Sequence, residues 1–166
     1  MFVQLLVLFV LCVFYISYLV KMLLLKRQGI TGNLLGKGQK PIKAIRIEVI
    51  LKSITYVGAA VQYASAMFPD LIWSPEVPLA LQIIGIAFTI AGVTFFLLSI
   101  TVMRTNWRAG YDERQNTALV SNGVYRISRN PAFVGFDLLY AGCSFAFPNA
   151  LMIAVALVAM AAVAEF

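Results

Sequence analysis

An all-α, polytopic membrane bundle of about five helical segments is the fold this sequence predicts, and three observations carry it. Hydrophobic residues make up 61% of the chain and charged residues 12%, the reverse of what a soluble domain of 166 residues needs to keep its surface wet. The apolar residues gather in runs that reach, or nearly reach, the length needed to cross a hydrocarbon core of roughly 30 Å. All thirteen Lys and Arg lie in two blocks, residues 21–52 and 104–129, and if both blocks are cytoplasmic every cation obeys the positive-inside rule. The net charge of +6 is thereby assigned to membrane topology, and no nucleic-acid partner is expected. Histidine is absent, which removes any imidazole base and any His-ligated metal, so no metal site is expected.

The first span is expected over residues 2–25, an almost continuous apolar run. It lacks the basic flank and the small-residue cleavage site of a signal peptide. Cys12 within it and Cys143 near the other end both sit in apolar surroundings and read as small hydrophobes, not as a bridge. Residues 26–43 form a basic, glycine-rich loop. Its GNLLGKG segment fails as a phosphate-binding loop, because the glycine spacing is one residue short and Gly38 stands where Ser or Thr is needed. A flexible connector at an anionic membrane face is the expectation.

A second span is expected over residues 48–68, with Lys52 snorkelling to the cytoplasmic end. Pro69, Pro75 and Pro78 break the chain in the loop that follows, where Trp73 suits the interface and Asp70 and Glu76 face the cation-free side. The third span, residues 79–103, carries Gly85, Thr89 and Gly92 on one face, a seam that lets another helix approach closely. Residues 104–131 are polar and arginine-rich. Pro131 then opens an apolar stretch, 132–147, which Pro148 and Asn149 separate from another, 150–166. Each is only about sixteen residues, marginal for a full span, so a tilted helical hairpin is expected. The whole chain reads as one membrane domain, multi-pass, with the amino terminus outside and the 104–131 loop and carboxy terminus cytoplasmic.

The junction at residues 116–135 is the candidate site, because one stretch there meets both water and lipid. Gly123 permits a tight turn and Pro131 pre-sets the first turn of a helix. A helix start offers backbone N–H groups to carboxylate or phosphate, and Arg126 and Arg129 add positive charge beside it. Tyr125 and Phe133 offer aromatic faces to a flat or cationic ligand. Arginines resting on lipid phosphates, with Tyr and Phe in an interfacial belt, fit the same composition, and both readings stand on the residues alone. Asp137 is a rare acid within an apolar segment. It is either a functional group paired with Arg126 or Arg129, or a helix-end charge reaching interfacial water.

The wording of the stretch, Leu119-Val120-Ser121-Asn122-Gly123-Val124-Tyr125-Arg126 followed by Arg129-Asn130-Pro131-Ala132-Phe133-Val134-Gly135, closely resembles the signature of the isoprenylcysteine carboxyl methyltransferase and phospholipid methyltransferase superfamily. Asn106-Trp107 upstream and the Pro148-Asn149 break downstream are similar to the same pattern. The resemblance implies an integral membrane enzyme that uses S-adenosylmethionine. It assigns Leu119, Val120, Gly123, Tyr125, Arg129, Asn130, Pro131, Phe133 and Gly135 to cofactor binding. Arg126 and Asp137 are the candidates for a catalytic role. Asn130 stands where histidine is commoner, and Phe133 where tyrosine is usual. Relatives usually continue into a Glu-Glu pair and a Phe-Gly-x-x-Tyr segment that help close the site, whereas this sequence stops at Phe166. The resemblance therefore implies a chain truncated at its carboxy end and unable to turn over as it stands.

The expected function is methyl transfer to a lipophilic or lipidated substrate entering from the bilayer, either a carboxylate of an isoprenylcysteine-like group or a lipid amine. A carboxylate nucleophile needs no base, which suits a chain without histidine. The oligomeric state is left open. Two other readings remain: an NADPH-dependent membrane reductase of the sterol-reductase kind, and a non-catalytic membrane module.

Overall fold

The computed structural model describes residues 1–69, 76–110 and 120–164. Five α-helices lie among them: α1 (Phe2–Arg27), α2 (Ile42–Met67), α3 (Leu79–Val102), α4 (Pro131–Ala146) and α5 (Ala150–Ala164). Two short 3₁₀ turns, Arg104–Asn106 and Gly123–Arg126, lie between α3 and α4. The all-helical architecture is thus the expected one. Helices α1 and α3 are long and apolar enough to cross a membrane, whereas α4 and α5 are shorter apolar helices. At about 1.5 Å per residue, the 16 residues of α4 reach only about 24 Å. The outside of the bundle is apolar, with Leu5, Phe9, Ile16, Leu19 and Leu23 of α1 all exposed. A helix that is hydrophobic all round belongs in lipid or in a large core.

Helices α3 and α4 are packed backbone to backbone. A Cβ placed on Gly92 would come within 2.6 Å of the Gly135 carbonyl oxygen, and one on Gly142 within 2.6 Å of the Gly85 carbonyl oxygen. Thr89 is fully buried between the two glycine pairs, and its hydroxyl is satisfied by the Gly85 carbonyl at 2.7 Å. The expected small-residue seam is therefore the contact between these two helices. Helix α1 joins the pair through rings: Phe14 lies 4.5 Å from Phe96 and 4.9 Å from Phe136, centre to centre. Lys21 Nζ donates to the Ile100 carbonyl at 2.8 Å, satisfying one of the carbonyls that the end of α3 leaves open.

Helix α2 packs on α5 with buried polar contacts. Asn149 sits in the break between α4 and α5, where its side-chain carbonyl accepts the Met152 N–H at 2.8 Å and its amide donates to Ser65 Oγ at 2.9 Å. It caps α5 and ties it to α2 in one residue.

Two boundaries and one loop differ from expectation. Helix α1 runs to Arg27 and ends at a turn through Gly29. Helix α2 begins at Ile42, six residues before Glu48, because Pro41 sets the helix start and Lys43 and Arg46 lie on it without breaking it. The glycine-rich loop, expected to be a flexible connector, is folded onto the bundle. Leu34 N–H donates to the Ala109 carbonyl and Ala109 N–H to the Gly32 carbonyl, both at 2.8 Å. Trp73 and Asp70 lie outside the described residues.

Candidate active site

One end of the bundle is hollow. The C-terminal parts of α1, α3 and α5 meet the N-terminal parts of α2 and α4 there, around a cavity of about 280 Å³. Local sequence explains how α4 enters it. Pro131 occupies the first helical position behind Asn130, where its missing N–H costs nothing. Asn130 is held by its own N–H donating to Ser128 Oγ at 3.1 Å, and its carbonyl accepts the Phe133 N–H at 3.1 Å. From that start, Phe133, Phe136, Asp137 and Tyr140 lie on one face of α4 and line the cavity.

The opposite wall comes from α2, with Lys52, Thr55 and Tyr56, and the floor from Tyr18 and Trp107. Trp107 is buried and meets Tyr18 and Phe96 edge-on, at 6.0 and 6.1 Å between ring centres. Tyr125 reaches across from the 3₁₀ turn, its hydroxyl 2.8 Å from Ser99 Oγ on α3. Burial pushes the Tyr125 phenol above its ordinary range, partly offset by that hydrogen bond. The roof carries Asn33 and Leu35 of the glycine-rich loop and Arg108 of the segment they pair with. Burial pulls the Arg108 guanidinium below its usual range. Its Nη1 donates to the Trp107 carbonyl at 2.7 Å.

Charge is divided unevenly around this space. Lys52, Arg108 and Arg129 are the cations on the lining, and Asp137 is the acid. Asp137 Oδ1 is buried and has no hydrogen-bond partner among the described residues. A buried acceptor without a partner is costly unless a ligand or solvent group satisfies it. The cavity thus combines aromatic walls, a cationic rim and one carboxylate inside.

The family model for phospholipid methyltransferases matches residues 80–166, just over half of the chain. This chain belongs to the phospholipid methyltransferase family. No curated protein and no solved structure matches it. Family membership, together with the two long apolar helices, associates the protein with a membrane and with methyl transfer.

Within this phospholipid methyltransferase fold the residues singled out from sequence separate into two groups. Tyr125, Arg129, Asn130, Phe133 and Asp137 come together on the cavity lining. The others have different places. Pro131 is buried at the start of α4, and Gly123, with φ 58°, turns the chain against Val102. Gly135 lies in the α3–α4 seam, where its Cβ position would touch the Gly92 carbonyl and Phe96. Val120 is half-buried and Arg126 exposed, and neither lines the cavity. Leu119 and Glu165 lie outside the described residues.

The cavity also recruits residues that the sequence reading passed over. Tyr140 had a signal: it follows Phe133 and Asp137 at i+7 and i+3 on α4, so helical spacing puts it on their face. Lys52, Thr55 and Tyr56 share a face of α2 in the same way, but nothing local aims that face at residues 125–140. Asn33 and Leu35 had none, since their place depends on pairing with a segment about 75 residues away.

Proposed function

We propose that this phospholipid methyltransferase family member transfers a methyl group from S-adenosylmethionine to a lipophilic substrate at the cavity mouth. The observation that carries this reading is the convergence of four signature residues, Tyr125, Arg129, Asn130 and Phe133, on one aromatic-walled cavity. The residues fit the cofactor. Aromatic faces suit both a flat base and a sulfonium cation, and the cations of the rim suit a carboxylate. Asp137 Oδ1 is a buried acceptor still open to a hydroxyl or ammonium donor. When bound, the cofactor supplies an electrophilic methyl group on sulfur.

The work of the chain is alignment and exclusion of water, which account for most of the acceleration available to an in-line displacement. Arg129 is exposed and lines the cavity, which suits it to an anionic group at the boundary with water. Tyr18, Trp107 and Phe136 line the cavity with aromatic rings that keep water out. Asp137 provides a proton acceptor for an amine nucleophile, while a carboxylate nucleophile leaves it a hydrogen-bonding role only.

The proposed topology is multi-pass, with the cavity end cytoplasmic. Lys26, Arg27, Lys37, Lys43, Arg46, Arg104 and Arg126 are all exposed and belong to the chain segments at that end, in keeping with the positive-inside rule. The chain is proposed to act as one membrane domain. The deciding experiment is thermal stabilisation of the protein in detergent micelles. S-adenosylhomocysteine is expected to raise the melting temperature and NADPH to leave it unchanged. Stabilisation by NADPH alone would replace the methyltransferase reading by a reductase.

A further inference from the structure

We propose that the strap formed by residues 30–41 is a gate over the cavity and that Glu48 is the positioning residue that latches it shut. The strap lies outside the region matched by the family, residues 80–166. Asn33 and Leu35 on it line the cavity, as do Arg108, Ala109 and Gly110 of the segment it pairs with.

A single carboxylate on α2 holds the strap and lies against the segment it pairs with. Glu48 Oε2 accepts the Gly36 N–H at 2.8 Å and Lys40 Nζ at 2.6 Å. Lys40 Nζ also donates to the Leu34 carbonyl at 3.2 Å. The other oxygen, Oε1, sits against Gly110, where an added Cβ would lie only 2.9 Å from it. Both side chains of the ion pair are wholly out of water, at 0% exposure.

Apart from this latch the strap is held at its α1 end, by the packing of Ile30 and Gly32 and by the two backbone hydrogen bonds to Ala109. Of its apolar residues only Leu34 is buried, while Lys37, Gly38 and Gln39 are exposed. Gly29, at φ 72° with open space where a Cβ would stand, joins the strap to α1 and serves as its hinge. An ion pair buried without solvent gives up hydration that opening restores, so its net hold is far weaker than its Coulomb attraction. A segment with few apolar anchors and such a latch opens locally without unfolding the helices beneath it. Closed, it keeps water from the cavity; open, it admits a water-soluble ligand.

The test places a reporter cysteine at Thr55, on the cavity wall under the strap, and follows its labelling by a water-soluble maleimide above the background of Cys12 and Cys143. In Glu48→Gln and in Lys40→Met, Thr55→Cys is expected to label at least tenfold faster than in the parent. The exchanged pair Lys40→Glu with Glu48→Lys is expected to recover slow labelling. Equal labelling in all backgrounds overturns the gate. Loss of the helical circular dichroism signal in both single variants overturns it too, since the pair would then be holding the bundle itself.

A second readout rests on the cofactor reading given above. S-adenosylhomocysteine should bind and leave Glu48→Gln faster, both rates rising together and the affinity changing by less than about threefold. A residue that only shapes the wall would raise dissociation alone, and that result overturns the latch. If S-adenosylhomocysteine binds neither parent nor variant while labelling still accelerates, the cofactor reading is lost and the gate stands.

Discussion

The Tyr125 hydroxyl stands 2.8 Å from Ser99 Oγ, and this contact fastens the turn that leads into α4 to the last turns of α3. Ser99 is fully buried, so removing either partner strands the other. Tyr125→Phe is expected to cost about 1–2 kcal/mol, and a double-mutant cycle with Ser99→Ala should return a coupling of about 0.5–1.5 kcal/mol. Additive losses would show that the two groups do not interact.

Alkaline titration tests the same side chain. Because burial raises the Tyr125 phenol, it binds its proton more tightly folded than unfolded. Its contribution to stability is fully present below the ordinary phenol value of about 10 and is lost as pH climbs from there through the raised value. The difference in phenolate absorbance between the parent and Tyr125→Phe should therefore be a single phenol that titrates above the ordinary value.

The α3–α4 seam predicts intolerance to the smallest side chain. Gly92→Ala and Gly142→Ala place a methyl against backbone, not against a side chain that can turn away. Each should destabilise by about 1–3 kcal/mol, read as a lower melting temperature in micelles. A Gly29→Ala control meets no atoms and carries only backbone strain, about 1–2 kcal/mol. Losses at Gly92 and Gly142 within the roughly 0.5 kcal/mol of an ordinary surface substitution would mean that close approach is not what holds α3 to α4.

Asn149→Ala removes the cap of α5 and the partner of Ser65 together. The expected loss is about 2–3 kcal/mol, a cap at about 1 and a buried hydrogen bond at about 1–2. Asn149→Asp keeps the acceptor for the Met152 N–H but not the donor to Ser65, and should fall between. Chemical unfolding of the three proteins side by side checks the order.

Asp137→Asn separates the two substrate classes. With an amine acceptor, kcat should fall by about 10²-fold or more, the usual worth of a positioned base; with a carboxylate acceptor it should change little. Initial rates of methyl incorporation into a lipid amine and a lipid carboxylate make the comparison. A drop of similar size on both would assign Asp137 to binding instead.

Much of the fold was legible because hydropathy and punctuation are local. The starts of α3, α4 and α5 follow Pro78, Asn130 and Asn149, and the Gly85, Thr89 and Gly92 spacing named the face that α4 meets. The start of α2 was misread because Lys43, Arg46 and Glu48 look like the water boundary, whereas Glu48 is buried against Lys40 of the strap. At the site, composition marked Tyr125, Arg129 and Phe133, and the resemblance to the family signature added Asn130. Neither had the means of adding Tyr18, Lys52 or Asn33, whose place in the cavity depends on the packing of distant elements. Gly135 shows the limit in the other direction: a glycine within the family signature stands in the helix seam against Gly92 and Phe96 and does not line the hollow.

The two glycine pairs between α3 and α4 also decide which side of the cavity can yield. With main chain against main chain, no rotamer there has an alternative to adopt, so the two helices behave as an anvil: one stiff slab carrying Phe133, Asp137 and Tyr140 in fixed register. Any change in the width of the cavity must then come from α2 across from it, where Lys52, Thr55 and Tyr56 are side chains that can turn.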